Sequence, residues 1–245
     1  LDLFIPSPNT KDERGQTRDR YVPNPDYTSP NAIKMYEFVG VWVGLSFRTK
    51  ANLPFQLPSM VWKTLVGEAL NMKDLEEIDD ETVDKINSMR GGSDGEAGGE
   101  EEKEEKAEKE TKETKETKET KEATGTTAEH PRQVFENRWS SLPFQAKRSD
   151  GSVVDLIPGG ADIAVTYERR LEYAALLEHN RLHEFDQQLR AMRRGFGTMV
   201  PLRLMPLFTW QEAEVLVCGS PEINLDDLKH HTAYQGYSGE QDVTI

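Results

Sequence analysis

One stretch divides this chain before any periodicity is considered. Residues 91–131, GGSDGEAGGEEEKEEKAEKETKETKETKETKEATGTTAEHP, contain almost no side chain able to enter a core. That composition predicts a disordered, low-complexity insert. Its four TKE triplets, Thr111 to Glu122, set Glu over Glu at i+3 and offer only the weaker Lys-before-Glu order at i+4, which disfavours a charged helix. A fold must therefore be assembled from two stretches, 1–90 and 132–245, on either side of a solvated loop. Residues 93–129 hold 14 acids against 7 lysines, half of the formal charge of −14. The net charge of −14 argues against a nucleic-acid-binding surface, although outside the insert the chain is only mildly acidic.

Outside the insert, apolar usage is that of an ordinary globular protein, and there is enough chain for a sizeable core. The longest apolar run, Phe38 to Phe47, has ten residues, whereas a membrane span needs about 20. No membrane partner is expected. The single cysteine, Cys218, excludes an internal disulfide and agrees with a cytoplasmic or nuclear setting. The chain opens on LDLF, without Met or a signal-like segment, and reads as a fragment of something longer.

The first ordered stretch opens with Pro-rich extended segments, PSPN and VPNPDYTSP. Ser29 is then placed to cap a helix with Pro30 at its first position. Ile33, Tyr36, Val39, Val43 and Phe47 recur at helical spacing, and Gly40 and Gly44 sit one turn apart where a second backbone can approach. Further helices are predicted over about Ser59 to Leu70 and Asp80 to Met89. After the insert, FQAKRSDGSVVDLI predicts a hairpin turning at Ser149, Asp150 and Gly151, and Pro158, Gly159 and Gly160 supply another turn. A single long helix is predicted from Tyr167 to Phe196, carried by Leu182, Phe185, Leu189, Met192 and Phe196. Thr209 and Glu212 form a capping box for TWQEAEVLVC, Gly219 stands at its end, and a short helix covers Leu225 to His231. The pattern is α+β, mostly helical, in two unequal lobes with a small β-hairpin.

Motifs for chemistry are few. His179 and His183 lie four apart, but no Glu follows His179 as a zincin motif requires, and the adjacent His230 and His231 point in different directions. GGSDGEAGG lacks the Lys-Ser/Thr of a phosphate loop. Cys218, in LVCG, has no neighbouring His or Lys to lower its pKa and is read as structural. No cofactor and no metal site are expected.

The blocks DLIPGGADIAVTYERRLEYAALL, FDQQLRAMRRGF and LFTWQEAEVLVCGSPEINLDDLKHHTAYQGY follow one another in an order that resembles the HECT ubiquitin-ligase domain. In the first stretch, SPNAIKMYEFVGVWVGLSFRTK and LPSMVWKTLVGE are similar to that family's two packed helices, with Gly40, Gly44, Pro58, Leu65 and Gly67 at the expected positions. The resemblance covers nearly everything but the insert.

It implies a bilobal N-terminal lobe that docks a ubiquitin-conjugating enzyme, with ubiquitin as cargo and an unassigned protein substrate. The cysteine-bearing lobe would begin where the chain stops, at DVTI, so the acceptor cysteine is expected outside these residues and the fragment alone is expected to be inactive. Cys218 matches the family's non-catalytic cysteine. The first segment of the large lobe also falls outside the match. By position, the resemblance assigns conjugating-enzyme contacts to Val83, Ile86 and Met89 on the third helix, Leu142 on the hairpin's first strand and Leu189 on the long helix, forming an apolar groove. The same spacing also suits a core-facing stripe. Two other readings stand beside the ligase: a non-catalytic interaction module on this fold, and an acidic tract at 93–129 that recruits a basic partner such as a histone tail.

Overall fold

A computed structural model describes residues 2–15, 17–91, 131–139, 141–220 and 225–232. The expected disorder of the insert falls outside these residues, apart from Gly91 and Pro131 at its ends. Pro131 is the first residue of a helix, α6 (Pro131–Trp139).

The centre is built by two helices that glycines allow to touch. Ser29 accepts a hydrogen bond from the Ala32 amide and starts α2 (Pro30–Thr49), with Pro30 in its first turn. This helix crosses α8 (Asp186–Met199) in the most extensive helix pairing of the fold. A Cβ on Gly40 would overlap the Met192 carbonyl, one on Gly195 the Glu37 carbonyl, and one on Gly44 would lie 2.8 Å from Met199 Cβ. Tyr36, Val43, Met192 and Phe196 fill the seam, and the ring of Phe47 stands edge-on to those of Phe196 and Phe208. Tyr36 donates its hydroxyl proton to the Leu3 carbonyl, and burial pushes its pKa to about 12. On the outward side of α2, Met35, Phe38, Trp42 and Leu45 are exposed.

Around this pair stand α3 (Ser59–Val66), α9 (Trp210–Cys218) and a 3-10 segment (Leu202–Leu207). The predicted capping box of α9 forms in full, Thr209 and Glu212 each accepting from the other's backbone N–H. The helix predicted over 59–70 ends early, at Val66. Gly67 takes φ +94°, a left-handed conformation that terminates the helix, and its N–H bonds to the Lys63 carbonyl. Asn71 and Asp74 then cap a short helix, α4 (Met72–Glu76).

The other half of the fold is α5 (Asp80–Arg90), α6, the hairpin and α7 (Arg170–Leu182). The hairpin pairs β3 (Gln145–Lys147) with β4 (Val153–Asp155) antiparallel, Ala146 opposite Val154, and turns where the sequence predicts. A second sheet was not foreseen: β1 (Phe4–Pro6) pairs antiparallel with β2 (Tyr21–Pro23), and α1 (Pro8–Asp12) lies between them. The architecture is mostly helical with two small two-stranded sheets.

The predicted long helix over 167–196 is two helices. A 3-10 turn at Tyr167–Arg169 leads into α7, and the α-helical path is interrupted between Leu182 and Asp186. The apolar period survives the break, with Leu182, Phe185 and Leu189 all buried, so sequence periodicity alone gave no sign of it. The interruption coincides with tertiary bonds: Glu184 accepts from the Ser149 amide of the hairpin turn and from Arg181.

The helices on either side of residues 92–130 are each held independently. Arg90 pairs with Glu178 on α7, while on α6 Arg132 pairs with Glu168 and Phe135 packs edge-on to Tyr167. Replacing residues 93–129 by a ten-residue Gly/Ser linker is therefore expected to preserve the fold. Shortening a loop of that length about fourfold stabilises by about 1 kcal/mol through loop-closure entropy. Urea unfolding with an unchanged m-value is the check.

Candidate functional site

Four of the five residues assigned by the resemblance, Val83, Ile86, Met89 and Leu142, lie on the α5, α6, hairpin and α7 half. Asp79 caps α5, its carboxylate accepting from the Thr82 amide at 2.9 Å and from the Thr82 hydroxyl at 2.8 Å, and Asp80 and Glu81 favour the positive end of the helix. The stripe Val83, Ile86 and Met89 faces inward, with relative exposures of 7%, 0% and 0%, on a helix that packs against α7. Leu189 is 2% exposed and belongs to α8, whose main partners are α2 and α3. The structure thus brings Val83, Ile86 and Met89 together as core. They do not line an open groove, and Leu189 sits in the other half's packing.

Leu142 differs. It lies just before the hairpin's first strand and is half-buried, with its amide bonded to the Trp139 carbonyl and its carbonyl accepting from Val165. Beside it, Trp139 at the end of α6 is also half-buried. The ammonium of Lys85 stands 5.7 Å from the Trp139 ring centre and 5.2 Å from that of Tyr173. Burial pulls the Lys85 pKa down, opposed by the charges of Glu81 and Asp79. Lys85, Trp139 and Leu142 are therefore neighbours, each half-buried, on a small, partly apolar surface. Trp139 and Lys85 were not singled out in the sequence. A tryptophan in NRWSSLPF, directly after a tract empty of apolar residues, was the available signal.

Behind this surface, Arg181 is wholly buried at the end of α7. Its guanidinium donates to Asp79 at 2.7 Å, to Glu184, and to the Ser149 hydroxyl at 3.2 and 3.3 Å. Glu184 in turn accepts from the Ser149 amide at 3.1 Å, and the Ser149 carbonyl accepts from Lys11 at 2.7 Å. A cavity of about 430 Å³ opens beside these groups, with Lys11, Asp12, Glu81, Lys85 and Lys147 on its walls.

The remaining candidates carry no catalytic arrangement. The Cys218 thiol is half-buried and points at the Phe55 carbonyl, 3.6 Å away, and burial raises its pKa, which disfavours the thiolate a nucleophile requires. The rings of His179 and His183 are 4.5 Å apart, and His183 Nδ1 lies 3.2 Å from Asp186. Among the described residues, no group of three or more His, Cys, Asp or Glu side chains is arranged to hold a metal ion, and no helix is long and apolar enough to cross a membrane.

The family model of the HECT domain, a ubiquitin-transferase, matches residues 2–245. Mouse and human E3 ubiquitin-protein ligase HERC2 are each 34% identical to this chain over 234 residues, 96% of its length. The human probable E3 ubiquitin-protein ligase HECTD4 is 29% identical, again across 96% of the chain. The chain belongs to the HECT ubiquitin-ligase family. It spans about 4% of HERC2 and 5% of HECTD4.

Proposed function

We propose that these residues form the N-terminal, conjugating-enzyme-docking lobe of a HECT-type ubiquitin ligase, with the acceptor cysteine supplied outside them. The observation that carries this reading is the family match along 2–245. The setting of Cys218 supports the division of labour, because a half-buried thiol of raised pKa is unsuited to accept ubiquitin. In the parent reaction an acceptor thiolate attacks the thioester carbonyl of the charged conjugating enzyme, whose own thiolate leaves. A substrate lysine amine then attacks the new thioester, the acceptor thiolate leaves, and the amine loses its proton. The contribution of this chain is to bring the two thioester-bearing partners together, which is an effective-concentration effect.

The docking surface is placed over Leu142, Trp139 and Lys85, with Val83, Ile86 and Met89 beneath as its rigid floor. Leu189 stands apart from this surface, in the packing of α8 against α2 and α3. The partners are a ubiquitin-conjugating enzyme and, through it, ubiquitin; the compartment is cytoplasm or nucleus.

The test is titration of the chain, and of a copy with residues 93–129 replaced by the linker, against a panel of conjugating enzymes by NMR. Binding to a subset is expected, with affinity falling about tenfold in Leu142→Asp, as for loss of one apolar anchor. Binding of neither form to any member sinks the docking reading and favours a non-catalytic interaction module. Salt-sensitive capture of a basic peptide, lost with residues 93–129, favours the acidic-tract reading.

A further inference from the structure

The chain passes from one half of the fold to the other at residues 183–185. Upstream, α7 packs on α5 and β3; downstream, α8 packs on α2 and α3. At this junction the helical path breaks, and a broken helix between two packed bodies is a place where their angle can vary. Two other elements converge on this junction through Arg181, the cap of α5 by Asp79 and the hairpin turn by Ser149, while Glu184 of the junction itself binds the same guanidinium. The Ser149 and Glu184 groups are also bonded to each other, so the arrangement closes on itself.

A neighbouring tie runs from the hairpin to the chain just after β2, which α8 also holds. Arg148 donates to the Pro25 carbonyl at 3.1 Å, and the buried Gln188, in the first turns of α8, donates to the Asn24 and Pro25 carbonyls. Apolar packing across the junction holds the halves together without fixing direction. A planar guanidinium with two carboxylates and a hydroxyl does fix it, because its donors point along set lines. Such a buried charge group adds little net stability over an apolar replacement, so its value lies in geometry.

We infer that Arg181 is a positioning residue. Its buried network with Asp79, Glu184 and Ser149 sets the angle between the α5, hairpin and α7 half and the α2 and α8 half. Resting on the docking reading above, this angle aims the docked conjugating enzyme's thioester at the acceptor cysteine. Arg181 touches no reacting atom. Its removal alters where the donor thioester points and leaves the docking surface of Leu142 and Trp139 as it was.

Two variants test this. Arg181→Lys keeps a charge and loses the planar fork. The triple variant Arg181→Met, Asp79→Asn, Glu184→Gln removes all the charges together, leaves no unpaired ion, and retains an amide oxygen to cap α5. In the 245-residue chain carrying Cys218→Ser, spin labels at Leu171→Cys and Leu207→Cys, both exposed and one on each half, read the angle as a distance distribution. That distribution is expected to widen or shift in both variants. In the ligase that carries this chain, conjugating-enzyme affinity is expected to change less than about threefold while single-turnover ubiquitin transfer falls about tenfold or more.

An unchanged distance distribution in a folded variant overturns the inference. So does a changed distribution with transfer at the original rate. If the unaltered chain binds no conjugating enzyme, the docking reading fails, and the distance measurement alone still decides whether Arg181 sets the angle. Should the triple variant not fold, Arg181→Lys carries both measurements.

Discussion

Gly195→Ala is expected to be among the most damaging single substitutions in this chain, although it adds one methyl group and improves helix propensity by about 1 kcal/mol. The new Cβ would overlap the Glu37 carbonyl and lie 3.0 Å from the Val41 amide nitrogen, both backbone atoms of α2. A side chain in that position could rotate away; a helix backbone cannot. The two helices must separate along a seam that buries Tyr36, Val43, Met192 and Phe196, so the loss spreads over every contact there. A net loss of about 3 kcal/mol or more is expected, lowering Tm by roughly 6–12 °C for a domain of this size. Gly91→Ala is the control. A Cβ there meets nothing within 4 Å, and only the left-handed φ of +91° opposes it, at about 1 kcal/mol. Equal losses at the two positions would show that close helix approach is not what Gly195 provides.

The same helix pair shows what was legible in the sequence. Ser29 and Pro30 located the start of α2 to the residue, and its period showed how it continues, because capping and amphipathicity are local signals. Gly40 and Gly44 indicated that a backbone would approach. Its partner came from tertiary structure: Gly195 lies in RRGF, and nothing local says which helix it meets. The break between α7 and α8 was hidden for a related reason. Arg181 and Glu184 look like ordinary solvated charges on a helix, yet both are buried by the hairpin turn, whose Ser149 is more than thirty positions away.

The candidate site was legible in outline only. The block order led to the family, and the family to this half of the fold. The positional transfer then favoured apolar residues at regular spacing, and regular apolar spacing is what a core-facing helix face also displays. Ile86 and Met89 are fully buried for that reason, whereas Leu142, outside any helical repeat, remains at the surface. The approach of the half-buried Trp139 to Lys85 joins residues more than fifty positions apart across a long intervening tract, a pairing that no local pattern encodes.

Asp74→Ala is expected to destabilise on a similar scale by a different mechanism. The carboxylate is 2% exposed and accepts from three groups: the Ser59 hydroxyl at 2.6 Å, the Lys63 ammonium at 2.9 Å and the Asn71 amide at 2.8 Å. It therefore ties the first turn of α3 to the capping box of α4. Removing it leaves the Lys63 ammonium, itself only 8% exposed, without its counter-charge, and strands a hydroxyl and a backbone amide. Breaking one side of a buried pair costs about 3–5 kcal/mol, most of it the penalty of the ion left behind. If that penalty dominates, Lys63→Met placed on Asp74→Ala should recover roughly half of the loss, since the stranded ion is gone while the cap remains broken. A double-mutant cycle by urea unfolding measures this. Additive losses would mean that the capping bonds to Asn71 and Ser59, rather than the ion pair, hold α3 and α4 in place.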